Sequence, residues 1–206
     1  MITMPSMQEY RTQIRKVSAR YVEKPAARLL EKVGLTPNQL TVIGLLLSAA
    51  TAYLLSIGLF VPGGALLILA SALDMADGSL ARLQGRATAV GALLDSTADR
   101  ISEAMIFLGL LLFYISPRSI SEVLLIFLAL ISSFMVSYLR AKGEGLGVDC
   151  NVGVMTRPER VLVLAAGLLI GQIFVALVLI AAFSFLTALH RFWHIQNELS
   201  NRQQGE

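Results

Sequence analysis

Apolar residues in this chain fall into six long blocks separated by short polar or basic stretches. The first runs from about Leu40 to Phe60 and is closed by Val61-Pro62-Gly63-Gly64, which reads as a turn. The second covers about Ala65 to Leu83. The third starts near Ala87 and ends before Pro117, and the fourth covers about Ser121 to Leu139. Arg157-Pro158 opens the fifth, with proline suited to a first helical turn, and that block ends near Gly171. The sixth runs from about Ile173 to Ile195. Blocks of about 20 apolar residues cross a bilayer as helices, where every backbone polar group must be bonded internally. The pattern predicts an all-α polytopic membrane protein with six transmembrane helices.

Ahead of the first block, residues 7–33 place Ile14, Val17 and Tyr21 near helical spacing among basic residues. This predicts an amphipathic helix lying in the membrane interface, bent at Pro25. The expected organisation is one membrane domain over 1–206: a juxtamembrane helix in 1–36, a six-helix bundle in 37–196 and a fraying polar tail in 197–206. No cleavable leader is expected, because the N-terminal stretch is polar and basic.

Composition agrees. The chain has 206 residues, of which 55% are hydrophobic and only 15% charged, against about 25% in ordinary soluble domains. Cys150 is the single cysteine, so no internal disulfide can form. The net charge of +3 matters less than where the cations lie. Arg11, Arg15, Lys16, Arg20, Lys24, Arg28 and Lys32 precede span one; Arg82 and Arg86 flank the second loop; Arg140, Lys142, Arg157 and Arg160 flank the fourth; Arg191 and Arg202 close the chain. The opposite side has only Arg118. Positive residues stay inside, so both termini are expected on the cytoplasmic face of the cell membrane.

Four aspartates interrupt this apolar sequence: Asp74 and Asp77 in span two, Asp95 and Asp99 in span three. Each costs roughly 2.5–3.5 kcal/mol to insert, so they need a partner. Spans two and three form a hairpin around Gln84-Gly85-Arg86-Ala87. Pairs at i, i+3 and i, i+4 share a helix face. The four carboxylates can converge roughly 13–20 Å below the hairpin tip. Together they would repel and take up protons; Mg²⁺ or Mn²⁺ relieves this and prefers oxygen ligands. Gly78, Ala81, Gly91 and Ala92 leave room for a close-lying ligand, and Arg82 suits phosphate. The set describes a pyrophosphate-handling site. Taken alone, the acids also fit a small metal- or proton-coupled transporter. Such a protein would repeat its acidic helix in the second half, yet no acid stands between Glu159 and Glu198.

These residues resemble the signature of the CDP-alcohol phosphatidyltransferase family. It stands here as Asp74, Asp77-Gly78, Ala81-Arg82, Gly91, Asp95 and Asp99, with every gap matched. Pro37-Asn38-Gln39-Leu40-Thr41 is similar to the family's usual opening of span one. The resemblance implies six transmembrane helices, usually in a homodimer, with the active site open to the cytoplasm. It implies transfer of the phosphatidyl group of a CDP-linked lipid to an alcohol, with release of CMP. By position, Asp74, Asp77 and Asp95 would bind metal, and Asp99 would share in this and act as general base. Gly78, Ala81, Arg82 and Gly91 would hold the CDP-lipid, with Asn38 and Thr41 at the nucleotide.

A second cationic set, Arg140, Lys142, Arg157, Arg160 and Arg191, is expected to receive the phosphate of a phosphorylated alcohol. The Arg157-Pro158-Glu159-Arg160 segment and Asp95-Ser96-Thr97 resemble the inositol-phosphate-using branch, although that branch more often has Lys at 140 and Arg at 142. Glycerol 3-phosphate is the alternative acceptor. The expected partners are the CDP-linked lipid, the acceptor, membrane lipids and a second copy of the chain, with no nucleic acid. His190 and His194, at i, i+4, read as interfacial side chains beside Trp193, since a metal pair would need a third ligand. Residues 143–153 read as a glycine-rich polar loop that gates the site or connects spans.

Overall fold

The computed structural model describes residues 30, 34–85, 88–115 and 119–204. The interfacial helix expected over 7–33 lies outside them, apart from Leu30 and the approach to span one, as do Arg86, Ala87, Pro117 and Arg118. Among the described residues there are six helices and no strand: α1 Pro37–Ser56, α2 Phe60–Leu83, α3 Ala89–Ile115, α4 Ile120–Gly145, α5 Arg157–Leu169 and α6 Ile173–Gln204. Four of them, α1, α2, α4 and α6, are long and apolar enough to cross a membrane. α5 has only 13 residues, about 20 Å of helix, and α3 carries Asp95, Asp99, Arg100 and Glu103.

Two helix starts use the same device. Thr36 and Gln39 bond reciprocally, each backbone N–H to the other's side chain, ahead of Pro37. Thr156 and Glu159 do the same around Pro158. In both, the capping box satisfies orphan amides and proline removes another.

The expected turn at Val61–Gly64 is corrected. α2 begins at Phe60, so Pro62 sits in its first turn, where its missing N–H costs nothing. The chain turns instead at Gly58, whose φ of 78° is accessible to glycine without strain. Gly63 and Gly64 serve packing: a Cβ on either would stand 2.7 Å from Leu55 Cδ2 or 3.0 Å from Leu168 Cβ.

The chain divides into two compact units. One takes the chain through Leu46 together with Ala70–Asp99; the other comprises Leu47–Leu69 and Arg100–Glu206. In the first, Leu40 and Leu80 are buried together, with Leu30 and Leu35 against them. In the second, Leu55, Leu67, Phe107, Leu110, Leu168 and Leu177 belong to one core. Gly109 lets α3 lie directly on the backbone of Ala52 in α1. Outward faces remain apolar, with Leu46, Tyr53, Leu124, Phe127, Phe185 and Leu186 exposed. A soluble monomer rarely shows so much apolar surface.

The tail does not fray at Asn197: α6 continues to Gln204. The part of α6 from Thr187 onward carries the 146–156 segment. Thr187 Oγ1 accepts the N–H groups of Val154 and Met155, at 3.2 and 3.0 Å. Arg191 Nε donates to the Val152 carbonyl at 3.0 Å, His194 Nε2 lies 3.0 Å from the Asp149 carbonyl, and Arg202 donates to that of Gly147 at 2.8 Å. Val148 and Cys150 are buried against Ile195. The segment is thus a packed strap along one face of α6. Burial pushes the Cys150 thiol up, against the opposing influence of Arg191 and Arg140, which leaves it an unreactive core residue.

Candidate active site

The first unit brings three of the four signature aspartates together. Asp74 on α2 and Asp95 and Asp99 on α3 each offer a carboxylate oxygen within 4.8 Å of the other two. All three are half-buried. An all-oxygen, all-carboxylate donor set suits a hard divalent cation such as Mg²⁺ or Mn²⁺ and compensates the mutual repulsion. Asp77 is not in that group of three. It is 4% exposed, and its Oδ2 lies 3.2 Å from the hydroxyl of Thr41 on α1. The same hydroxyl lies 3.2 Å from the Pro37 carbonyl. Thr41 therefore ties α1 to α2 at the acid, whereas Asn38 is exposed.

The signature glycines differ from the packing glycines elsewhere. Among the described residues, a Cβ on Gly78 would meet only Arg82 Nη1, at 3.6 Å, and one on Gly91 only Thr88 Oγ1, at 3.2 Å. At Gly109 and Gly167 it would strike Ala52 and Ala176. Open space beside Gly78 and Gly91 fits a ligand lying on the helices rather than a helix pressed against them. Arg82 is exposed, with Nη2 2.9 Å from Ser79 Oγ, and its guanidinium lies along the Gly78 face. Thr88 Oγ1 accepts the N–H of Gly91 at 3.0 Å, which fixes the first turn of α3 just ahead of Asp95.

In the second unit the five cationic residues separate by environment. Arg140 is exposed and pairs with Glu144 at 2.8 Å; Lys142 is exposed and Arg157 half-buried. Arg160 and Arg191 are each 3% exposed. Arg191 bonds the carbonyls of Val136, at 2.6 Å, and Val152. Arg160 forms a two-pronged ion pair with Glu103, at 2.7 and 3.0 Å. Glu103, and Arg100 beside it at 4.0 Å, were not anticipated from the sequence. The available signal was a further Arg and Glu directly after Asp99 in apolar sequence.

Residues 34–189 match the family model for CDP-alcohol phosphatidyltransferase. This chain belongs to the CDP-alcohol phosphatidyltransferase family. It is accordingly a metal-dependent transferase, and the transporter alternative falls. Among similar proteins, an archaetidylinositol phosphate synthase of Methanothermobacter thermautotrophicus is 33% identical, over 95% of this chain and 100% of the relative. A phosphatidylinositol phosphate synthase of Corynebacterium glutamicum is 37% identical, over 84% of this chain and 83% of the relative. The fold is similar to that of the Mycobacterium tuberculosis phosphatidylinositol phosphate synthase solved with CDP-DAG bound, with TM-score 0.76, 32% identity and coverage of 84% of this chain and 93% of that one. The same enzyme in complex with manganese and citrate gives a TM-score of 0.75, with coverage of 85% and 89%. The family's dependence on a divalent metal agrees with the oxygen cluster of Asp74, Asp95 and Asp99.

Proposed function

We propose that this enzyme transfers the phosphatidyl group of a CDP-linked lipid to inositol phosphate and releases CMP. The observation that carries the reading is the convergence of Asp74, Asp95 and Asp99 in a chain whose similar relatives are named for inositol phosphate synthesis. Asp74, Asp95 and Asp99 would hold the metal through their clustered oxygens, and Asp77, one helical turn from Asp74 on α2, would complete the set from its place beside Thr41. When bound, it supplies charge neutralisation for the diphosphate and the departing CMP.

Gly78, Ala81 and Gly91 give the diphosphate close access to the helices, and Arg82 pairs with it. Asn38 and Thr41 border the nucleotide, with Thr41 also holding Asp77 in place. The acceptor hydroxyl attacks the lipid-side phosphorus. A new oxygen–phosphorus bond forms, the bond from that phosphorus to the bridging oxygen breaks, and CMP leaves with that oxygen and the electron pair. Asp99 takes the hydroxyl proton. Arg140, Lys142, Arg157, Arg160 and Arg191 receive the acceptor's phosphate, Arg160 through the N–H groups its ion pair leaves over.

The positive-inside pattern favours both termini and the active site on the cytoplasmic face. In this reading α3 and α5 join the four apolar helices to give six spans, and α3 is tolerated because its acids face the site instead of lipid. The enzyme works as a homodimer, as the family resemblance implies. CMP release from CDP-diacylglycerol, measured with inositol phosphate, free inositol, glycerol 3-phosphate and serine, tests the assignment. Preference for inositol phosphate is expected. Equal or better use of glycerol 3-phosphate or of free inositol would overturn it.

A further inference from the structure

We propose that Glu103 is a positioning residue of the acceptor-phosphate site: it fixes the Arg160 guanidinium so that its remaining N–H groups are presented to the phosphate. The inference rests on the reading of Arg160 as a ligand of that phosphate. Glu103 Oε1 and Oε2 accept from Arg160 Nε and Nη2, at 2.7 and 3.0 Å. Both side chains are withdrawn from the surface, with 3% of Arg160 and 10% of Glu103 exposed. Arg160 Nη1 also points to the Met155 carbonyl, at 3.4 Å. A guanidinium has five N–H donors. Three are engaged here, which leaves one on each terminal nitrogen, the number a phosphate takes in a forked contact.

Glu103 does not neutralise Arg160 alone. Arg100 Nη1 lies 4.0 Å from Glu103 Oε2 and donates to Ser137 Oγ, one helical turn before Arg140. One carboxylate on α3 thus orients an arginine on α5 and is linked through a second arginine to α4.

Glu103→Gln, nearly isosteric, removes the charge and one of the two acceptors. The KM for inositol phosphate should rise about tenfold, while the KM for CDP-diacylglycerol stays within about twofold. Glu103→Asp, which keeps the charge and shortens the reach by one methylene, should show the same split to a smaller extent and serves if the glutamine variant does not fold. The exchange Glu103→Arg with Arg160→Glu restores the ion pair and thermal stability but moves the guanidinium to α3, so the acceptor KM should remain high. An unchanged acceptor KM in Glu103→Gln with only kcat reduced, or recovery of that KM in the exchange, would overturn the inference. Arg160→Ala separates the two levels. If it raises the acceptor KM and Glu103→Gln does not, Glu103 alone loses its role. If neither raises it, the acceptor assignment of Arg160 falls as well.

Discussion

At the scale of residues, the four acids of the signature do not stand in equivalent places. Asp74, Asp95 and Asp99 converge, whereas Asp77 is buried against Thr41. This sets apart their substitutions. Asp99→Asn keeps the shape of the site and removes the proposed proton acceptor, so turnover should fall about 10²- to 10⁴-fold with CDP-lipid binding largely retained. Thr41→Val keeps the volume but leaves buried Asp77 without that hydroxyl, which should weaken CDP-lipid binding and lower stability by about 1–3 kcal/mol. Equilibrium binding of a CDP-lipid analogue together with single-turnover CMP release distinguishes the two. Chelation should abolish turnover and Mg²⁺ or Mn²⁺ should restore it; full activity in metal-free buffer would remove the metal from the scheme. The aspartate spacing was legible in the sequence because helical periodicity alone brings i, i+3 and i, i+4 acids to one face. The bond between Thr41 and Asp77 was not, since it joins residues 36 positions apart through the packing of two helices.

At the scale of elements, hydropathy marked the helices well and their punctuation poorly. Gly63-Gly64 looked like a turn because glycine and proline cluster at turns, yet the same residues also permit close helix packing and a proline-led first turn. Asn197 onward looked like a fraying tail because it is polar. The helix persists because Arg202 reaches the Gly147 carbonyl and Leu199 packs against the cluster of Val148, Cys150 and Ile195, contacts made with a segment about 50 residues earlier. Gly109 is the sharpest element-level test. A Cβ there would press into the backbone of Ala52, which cannot swing aside as a side chain would. Gly109→Ala should therefore cost about 1–3 kcal/mol, read as a melting temperature lower by several degrees. Among the described residues, Gly78→Ala meets only the flexible end of Arg82, so its stability should be nearly unchanged and its CDP-lipid KM raised.

At the scale of the whole molecule, the arrangement of cations and of apolar surface must agree on an orientation in the bilayer. Apolar blocks predicted six crossings; length and composition alone mark four helices, because α5 is short and α3 spends part of its length on charged residues. Charge placement is independent of that count. If α3 and α5 cross, Ser121 at the start of α4 and Gln203 at the end of α6 lie on opposite faces, with Gln203 in the cytoplasm. If α3 does not cross, Ser121 stays on the same face as the α2–α3 hairpin. Cys150 is buried with its thiol pushed up, so the unmodified chain should give little background with a thiol reagent. Ser121→Cys and Gln203→Cys, both at exposed positions, then report the two faces. A membrane-impermeant maleimide applied to intact cells should label Ser121→Cys and leave Gln203→Cys untouched until the membrane is opened. Labelling of both from outside, or of neither, would exclude α5 as a crossing helix, and labelling of Gln203→Cys alone would exclude α3 as a crossing helix or reverse the orientation. With the orientation reversed, the active-site aspartates would have to be approached from a different compartment than the one that supplies a cytoplasmic acceptor.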